Sequence, residues 1–570
     1  MEEFAEKLTE LSALPFFTTF GAVLRYLLPA LAIVIVVRCA CSLFVQRREP
    51  EVWAWLTSPT GDHLPLMHWE SLIGRGTGCD VRLDYPTISR NHAVLKRFDD
   101  GSWLICDLGS TGGTKLNGGS VLAAAVHFGD IISLAGVDFT LVPITKEQEE
   151  LQAQTRTRGG SRISQSITLL ALTVFQLLVG WSCFAGTKEA NVLLAFPALI
   201  AIEWLFFAML RLMRRSSYEV ETLAFFLNTM GMAVMASSAP SWLLKEALVI
   251  AAGVVLYLLI TWSLRNLERA KRIRYLAAAA GLGLMALNAL LGVEQFGARN
   301  WVQIGGLSFQ PSELVKLCFV FVGSSTLDRL MAKRNLILFI GYSAAICGCL
   351  ALMNDVGTAL IFFVVFLVVA FMRSGNFATI ALAISATAFA GFMVLKFKPY
   401  ALNRLSAWRH VWEYALTTGY SQTRAMMCIA SGGLFGLGAG NGWLHYVGAA
   451  DTDLVFALVS EEWGLILAMT MVAVIVILAV FTVRSAPGGR SSFYTIGACA
   501  AATILSIQTF LNVFGTVDFI PLTGVTFPFV SNGGSSLLCV WGLLAFIKAA
   551  DTRQNASLAI RLPGRKGASA

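Results

Sequence analysis

Two patterns of apolar and polar residues divide this chain. Over residues 18–45, and again from 167 to 548, apolar runs of membrane-crossing length recur between short polar stretches. After the first, their limits are roughly 167–187, 192–214, 220–240, 242–263, 275–292, 313–331, 335–352, 356–373, 377–397, 457–482, 492–515 and 528–548. Each is near the ~20 helical residues that cross a bilayer. Between 50 and 145 the pattern changes. Short runs such as Ala93-Val94-Leu95 and Trp103-Leu104-Ile105-Cys106 alternate with turn signals at Asp99-Asp100-Gly101, Leu108-Gly109-Ser110 and Asn117-Gly118-Gly119. That is the spacing of an all-β sandwich. The pattern therefore predicts a polytopic α-helical membrane protein of about 13 transmembrane helices with an inserted all-β sandwich domain. The predicted units are a first helix in 1–48, the β domain at 50–145, a basic linker at 146–166, two helices in 167–214, a membrane core at 220–550 and a tail at 551–570.

Composition agrees: 56% of residues are hydrophobic and 14% charged. The net charge of +8 comes largely from short basic clusters beside apolar runs, among them Arg47-Arg48, Arg211 to Arg215, Arg265 to Arg274 and Lys333-Arg334. Basic clusters mark the cytoplasmic side. With alternating helices they all fall on one side, together with the β domain and the carboxyl terminus. The amino terminus and the loops 293–312 and 398–456 then face outward. The charge is thus explained by topology in a cytoplasmic membrane, not by nucleic-acid binding. The 11 cysteines are scattered, mostly in apolar segments, and the 6 histidines form no ligand-spaced cluster. The acidic start Met-Glu-Glu-Phe-Ala-Glu lacks the basic region of a signal peptide.

Within the β domain, Ile73-Gly74-Arg75, Thr87-Ile88-Ser89-Arg90-Asn91-His92 and Asp107-Leu108-Gly109-Ser110-Thr111-Gly112-Gly113-Thr114 resemble the forkhead-associated (FHA) family. The resemblance implies binding of a phosphothreonine-containing protein. Arg75 and Ser89 would contact the phosphate, with Arg90 and Thr111 nearby and His92 bracing the loop. An arginine and a hydroxyl can both donate to phosphate oxygens. The chain departs from the family at Gly112, where an Asn that holds the peptide backbone usually stands. A β domain serving only as a protein contact is the alternative.

The stretch 440–464 combines a polar, Gly-rich loop, the acids Asp451 and Asp453, and an apolar run carrying Glu461 and Glu462. Acids at membrane depth are costly and functional by default. Spacing alone leaves two readings of Asp453, a general base or the N-cap of the helix that follows. Further motifs are Arg299-Asn300-Trp301, Phe309-Gln310-Pro311-Ser312-Glu313-Leu314-Val315-Lys316, Asn354-Asp355-Val356-Gly357-Thr358, Ser431-Gly432-Gly433-Leu434-Phe435-Gly436 and Pro528-Phe529-Val530-Ser531-Asn532-Gly533-Gly534-Ser535-Ser536. In type, order and spacing these, with Asp451-Thr452-Asp453, resemble the SEDS family (shape, elongation, division and sporulation). The resemblance spans about 220–548.

That resemblance implies a peptidoglycan glycosyltransferase that polymerises lipid II on the outer face of the membrane. It implies Asp453 as the catalytic residue and a class B penicillin-binding protein as partner, supplying the cross-linking activity. The chemistry requires a base for the acceptor hydroxyl and cations for the leaving pyrophosphate. Lys396, Lys398, Arg404 and Arg409 lie outward, against the positive-inside rule. Arg404 heads an Arg-x-x-x-Trp stretch ending at Trp408 that also resembles the family, and lipid headgroups are the alternative ligand for these cations. Glu313 and Lys316 stand one helical turn apart and form an intramembrane pair at the edge of a polar cavity; Asp355 and Ser531 are further candidates for its lining. No metal-ligand cluster is visible, although a divalent cation, Mg or Mn, bridging carboxylate and pyrophosphate is chemically reasonable. A lipid II transporter or a regulatory scaffold are the competing functions.

Overall fold

The computed structural model describes residues 15–45, 52–76, 78–98, 101–157, 162–213, 215, 217–295, 298–304, 307–325, 333–374, 377, 378, 381, 383–385, 388, 407–486 and 491–551. The first helix, α1 (Pro15–Val45), leads into the β domain. One sheet of that domain orders the strands His63–Leu66, Ala54–Thr57, Val137–Val142, Ile131–Leu134, Thr114–Leu116 and Gly119–Ser120. The other orders Val81–Arg82, Glu70–Gly74, Ala93–Arg97, Trp103–Asp107 and Ala123–Val126. Alternation turns Ile73, Leu95, Ile105, Ile132, Phe139 and Leu141 inward, where all are fully buried. The register sets Ile73 opposite Ala93 and Ala93 opposite Asp107, so the loops leaving these strands gather at one end.

The stretch expected to be a solvated linker contains a helix instead, α2 (Lys146–Thr157). Its first turn holds Glu147 and Glu149, favourable at the positive end of a helix dipole, and Thr145 Oγ1 accepts from the Gln148 N–H at 3.4 Å. The membrane part follows as α3 (Arg162–Thr187), α4 (Val192–Leu212), α5 (Glu219–Ser238), α6 (Leu243–Leu264), α7 (Leu267–Leu291), α8 (Pro311–Ser325), α9 (Lys333–Leu352), α10 (Val356–Ser374) and α11 (Tyr420–Gly432). Then come the short turn α12 (Ala450–Asp453), α13 (Val455–Trp463), α14 (Leu465–Ser485), α15 (Ser492–Thr516) and α16 (Gly534–Ala549). Among the described residues eight helices are long and apolar enough to cross a membrane, and the three apolar stretches 337–352, 356–372 and 534–549 are shorter. Most of the expected span at 377–397 lies outside the described residues.

Two expected spans differ. The run 457–482 is two helices, broken at Gly464, whose φ of +90° favours glycine. A side chain there would also strike the Leu434 carbonyl. Glu461 and Glu462 therefore sit in the short α13, outside the membrane-crossing α14. The run 528–548 is helical only from Gly534. Residues 517–533 instead form a loop with Pro521 and Pro528, neither of which can donate a backbone hydrogen bond. The loop before α8 is a small three-stranded sheet, Val293–Gln295, Ala298–Ile304 and Leu307–Phe309, with Arg299, Asn300 and Trp301 on its middle strand.

The bundle is organised on α5, whose residues 219–236 are buried along their whole length. A buried ion pair ties it to the last helix: Lys548 Nζ lies 3.0 Å from Glu221 Oε2, with both side chains inaccessible. Tyr257 Oη donates to the other Glu221 oxygen at 2.7 Å, and Lys548 also donates to the Ser217 carbonyl at 3.1 Å. Deleting one partner of such a pair strands the other charge, at a cost of about 3–5 kcal/mol. Lys548→Met should therefore lower the unfolding midpoint sharply, and Glu221→Gln added to it should recover much of the loss in the same thermal assay.

Candidate active site

Asp453 ends a tight turn that the backbone enters through Ala449 at φ +60°, a left-handed conformation uncommon for alanine. The following helix, α13, is capped at Leu454 with no side-chain cap, so Asp453 is not its N-cap. The turn is pinned from the far end of the chain. Ser531 Oγ donates to the Thr452 carbonyl at 2.6 Å while accepting from the Phe527 N–H at 2.7 Å. Asn532 bonds Asp451 twice, backbone N–H to carbonyl at 2.8 Å and Nδ2 to Oδ2 at 2.7 Å. Asn512 Nδ2 donates to the carbonyls of Asp453 at 3.0 Å and Val525 at 2.9 Å. The Asp453 carboxylate itself lies over Gly524, where an added Cβ would stand 3.1 Å from Oδ2. Gly524 has a φ of +68°, so both conformation and space demand glycine there.

The loop under Asp453 carries the contact onward. Gly357, at the start of α10, packs against Thr523, whose carbonyl would lie 2.8 Å from a Cβ at 357. Asp355 caps that helix, its Oδ1 accepting from the Thr358 N–H at 3.1 Å. Its Oδ2 accepts from Asn300 at 3.2 Å and Gln310 at 3.4 Å. The Gln310 N–H donates to Ser535 Oγ at 3.2 Å, and Thr526 and Ser536 hydroxyls meet at 2.9 Å. Glu313 and Lys316 pair at 2.6 Å, both buried. Glu313 Oε2, Ser312 Oγ, Gln508 Oε1, Asn512 Oδ1 and Thr523 Oγ1 are buried without a hydrogen-bond partner among the described residues. Buried polar groups normally find partners, so atoms left without one are places where water or a polar ligand can bind. Of the eight non-glycine residues with positive φ among those described, Asn354, Arg409, Ala449, Asp518 and Phe529 lie in the turns around it. Such strain concentrates at functional sites.

Of the expected site residues, the structure gathers Asp453 and Ser531 around one turn and links Asp355 to it through Gly357 and Thr523. The Ser531 hydroxyl is committed to protein contacts, which makes it a brace. Trp408 Nε1 donates to the Phe519 carbonyl at 3.1 Å, and Arg409 lies over the Trp408 ring at 5.2 Å. Arg404, Lys396 and Lys398 lie outside the described residues. Glu461 is not a chemical group of the site: its carboxylate accepts the N–H groups of Trp443 at 3.1 Å and Leu444 at 3.0 Å. Glu462 accepts from Ser237 Oγ at 2.6 Å. Asn512, Asn532 and Glu246, the last an electrostatic neighbour of Asp451, escaped the sequence reading. Asn532 stood inside a quoted motif, but nothing in the chain marked the partners 81 residues away. Among the described residues no group of three His, Cys, Asp or Glu side chains is placed to hold a metal ion.

In the β domain the strand ends bring the expected loops together. The Arg75 N–H donates to the Ser89 carbonyl at 3.1 Å, and Ser89 Oγ accepts from the Thr111 N–H at 3.0 Å. Arg75, Arg90 and Thr111 are exposed. His92 is the brace: its Nδ1 accepts from the Ser89 N–H at 3.2 Å, so Nε2 carries the proton and donates to the Gly113 carbonyl at 3.1 Å. Burial pushes its pKa down and keeps the ring neutral. Burial would raise the Asp107 carboxyl, but hydrogen bonds from the Ser110 and Thr114 hydroxyls and the Ser110 and Gly109 N–H groups outweigh it and hold it below the usual range. At Gly112 any side chain would collide with Ala135, so the family's Asn has no room at that position in this loop.

Comparison with known proteins places these observations. Residues 198–556 match the FtsW/RodA/SpoVE family of cell cycle proteins, and 71–135 match the FHA domain. The peptidoglycan glycosyltransferase RodA of Mycobacterium tuberculosis is 31% identical over 318 residues, 52% of this chain and 67% of that protein. Stage V sporulation protein E of Bacillus subtilis is 28% identical over 257 residues, 43% of this chain and 69% of that protein. A chain from a solved peptidoglycan synthase complex, described as coordinating polymerization and crosslinking, superposes with a TM-score of 0.50 at 25% identity. It covers 58% of this chain and 96% of its own.

Ser531→Ala leaves the Thr452 carbonyl and the Phe527 N–H unpaired together. The expected cost is about 1–3 kcal/mol, read as a lower unfolding midpoint of the purified protein.

Proposed function

Because this chain belongs to the FtsW/RodA/SpoVE family, we propose that it is a multi-pass membrane peptidoglycan glycosyltransferase that polymerises lipid II with Asp453 as its base. In this reaction the acceptor 4-hydroxyl loses its proton to the Asp453 carboxylate as its oxygen bonds C1 of the donor sugar. The bond from C1 to the pyrophosphate oxygen breaks, and undecaprenyl pyrophosphate leaves with the electron pair. Asp453 then returns the proton to solvent. The observation that carries this reading is the bracing of the Asp453 turn: Asn512 bonds the Asp453 carbonyl, Ser531 and Asn532 bond Thr452 and Asp451 before it, and the carboxylate lies over Gly524. A base held in one geometry avoids reorganisation at the moment of proton transfer.

Arg404 and Lys398 hold the leaving pyrophosphate from the outward side, with Trp408, Glu313, Lys316 and Asp355 shaping the polar cavity and Ser531 bracing it. The reaction faces outward, as do the amino terminus and the large loops. The β domain and the carboxyl terminus are cytoplasmic. A class B penicillin-binding protein is the partner, as the likeness to a synthase complex supports. The FHA domain binds a phosphothreonine-containing protein through Arg75 and Ser89, with Arg90 and Thr111 at the rim.

Two outcomes test these roles. Asp453→Ala, assayed as glycan chains made from lipid II by purified, correctly inserted protein, should lose about 10²–10⁴-fold in rate with its folding intact. Glycan at the unsubstituted rate sinks the base assignment. Arg75→Ala removes a charge-assisted hydrogen bond of about 1.5–3 kcal/mol and should weaken phosphothreonine-peptide affinity at least about tenfold by titration calorimetry.

A further inference from the structure

Two helices of membrane-crossing length lie wholly outside the stretch that matches the family, α1 and α3, and in sequence they lie on either side of the FHA domain. Both reach the same outward loop, 434–442, between α11 and the Asp453 turn. From α1, Arg25 Nη2 donates to the Leu437 carbonyl, and the Tyr26 ring packs on Phe435 with centroids 4.7 Å apart. Gly438 leaves room for the guanidinium: a Cβ there would stand 3.1 Å from Arg25 Nη2. From α3, Gly186 lies so close under Ala439 that any side chain would collide with its carbonyl. Gly440 rests on Gly186 and Thr187, with 3.3 Å to each from an added Cβ. The two helices are themselves joined, Arg38 Nε donating to Thr168 Oγ1 at 3.2 Å.

The braced loop is wired to the site. The N–H groups of Leu437 and Gly438 donate to the carbonyls of Glu461 at 2.8 Å and Glu462 at 2.9 Å. The Glu461 carboxylate in turn holds the Trp443 and Leu444 N–H groups that start the 3₁₀ turn Leu444–Tyr446. From there Val447 and Ala450 continue hydrogen-bonded turns into Ala449 and Asp453. We infer that α1 and α3 form a brace for the loop that positions Asp453, and that Arg25 is a positioning residue for glycosyl transfer. This rests on the reading of Asp453 as the base. The arginine acts through the Leu437 carbonyl and touches no reacting atom.

The test uses the full chain in lipid nanodiscs, with Arg25→Ala, Arg25→Lys and Asp453→Ala measured together. Initial rates of lipid II polymerisation should show Arg25→Ala losing about 10- to 100-fold in kcat, with KM within about twofold. Arg25→Lys, which retains one donor for Leu437, should recover a large part of kcat. Hydrogen exchange supplies a readout independent of chemistry. In Arg25→Ala the amides of Leu437, Gly438, Trp443 and Leu444 should exchange at least about tenfold faster, while those of the β domain stay unchanged. Unchanged exchange in the buried α5 reports that the membrane part of the variant is folded. Unchanged exchange at these four amides, or unchanged kcat in Arg25→Ala beside an inactive Asp453→Ala, overturns the inference. An active Asp453→Ala removes the base assignment instead, and the exchange data then still decide whether the brace exists.

Discussion

The bonds between Asp451-Thr452 and Ser531-Asn532 are the constraint on which the rest of this end of the bundle depends. At the ends of membrane helices the chain must leave regular structure, and each freed N–H or carbonyl at that depth is costly unless paired. Here two irregular segments satisfy each other. The loop 517–533, interrupted by Pro521 and Pro528, offers Ser531 and Asn532; the turn before α13 offers its carbonyls. Asn512, from α15, serves both segments. The carboxylate of Asp453 is presented as a by-product of that accounting, above a glycine that leaves it room.

The same logic explains the other buried acids. Glu461 is buried because it replaces water for two N–H groups at the start of a 3₁₀ turn. Glu221 is buried because Lys548 and Tyr257 meet it. Asp355 caps α10 and gathers Asn300 and Gln310. In each case a buried carboxylate is matched by donors that hold it in place. An intramembrane acid thus marks a structural junction as readily as a reaction centre.

The β domain touches the membrane part through a small polar contact, Ser491 Oγ donating to the buried Glu70 carboxylate at 3.3 Å at the start of α15. The loops at its strand ends are prepared from within. His92 and Asp107 are each held in one charge state by their neighbours and fix the backbone on which Ser89 and Thr111 stand. Gly112 shows how one substitution follows from local packing, since Ala135 occupies the space a side chain would need.

Hydropathy and turn spacing by themselves determined the membrane class and the inserted sandwich, and short residue motifs carried the resemblance to the family. Those features depend on residues near one another in sequence, where period and composition suffice. They could not separate a base from a helix cap at Asp453, place the break at Gly464, or give the helices before 198 a task. What the structure adds at each point is a partner far along the chain: Ser531 at the Asp453 turn, Leu434 at the break, Leu437 at Arg25. Which irregular segment satisfies which is a matter of packing in three dimensions, and no local pattern encodes it.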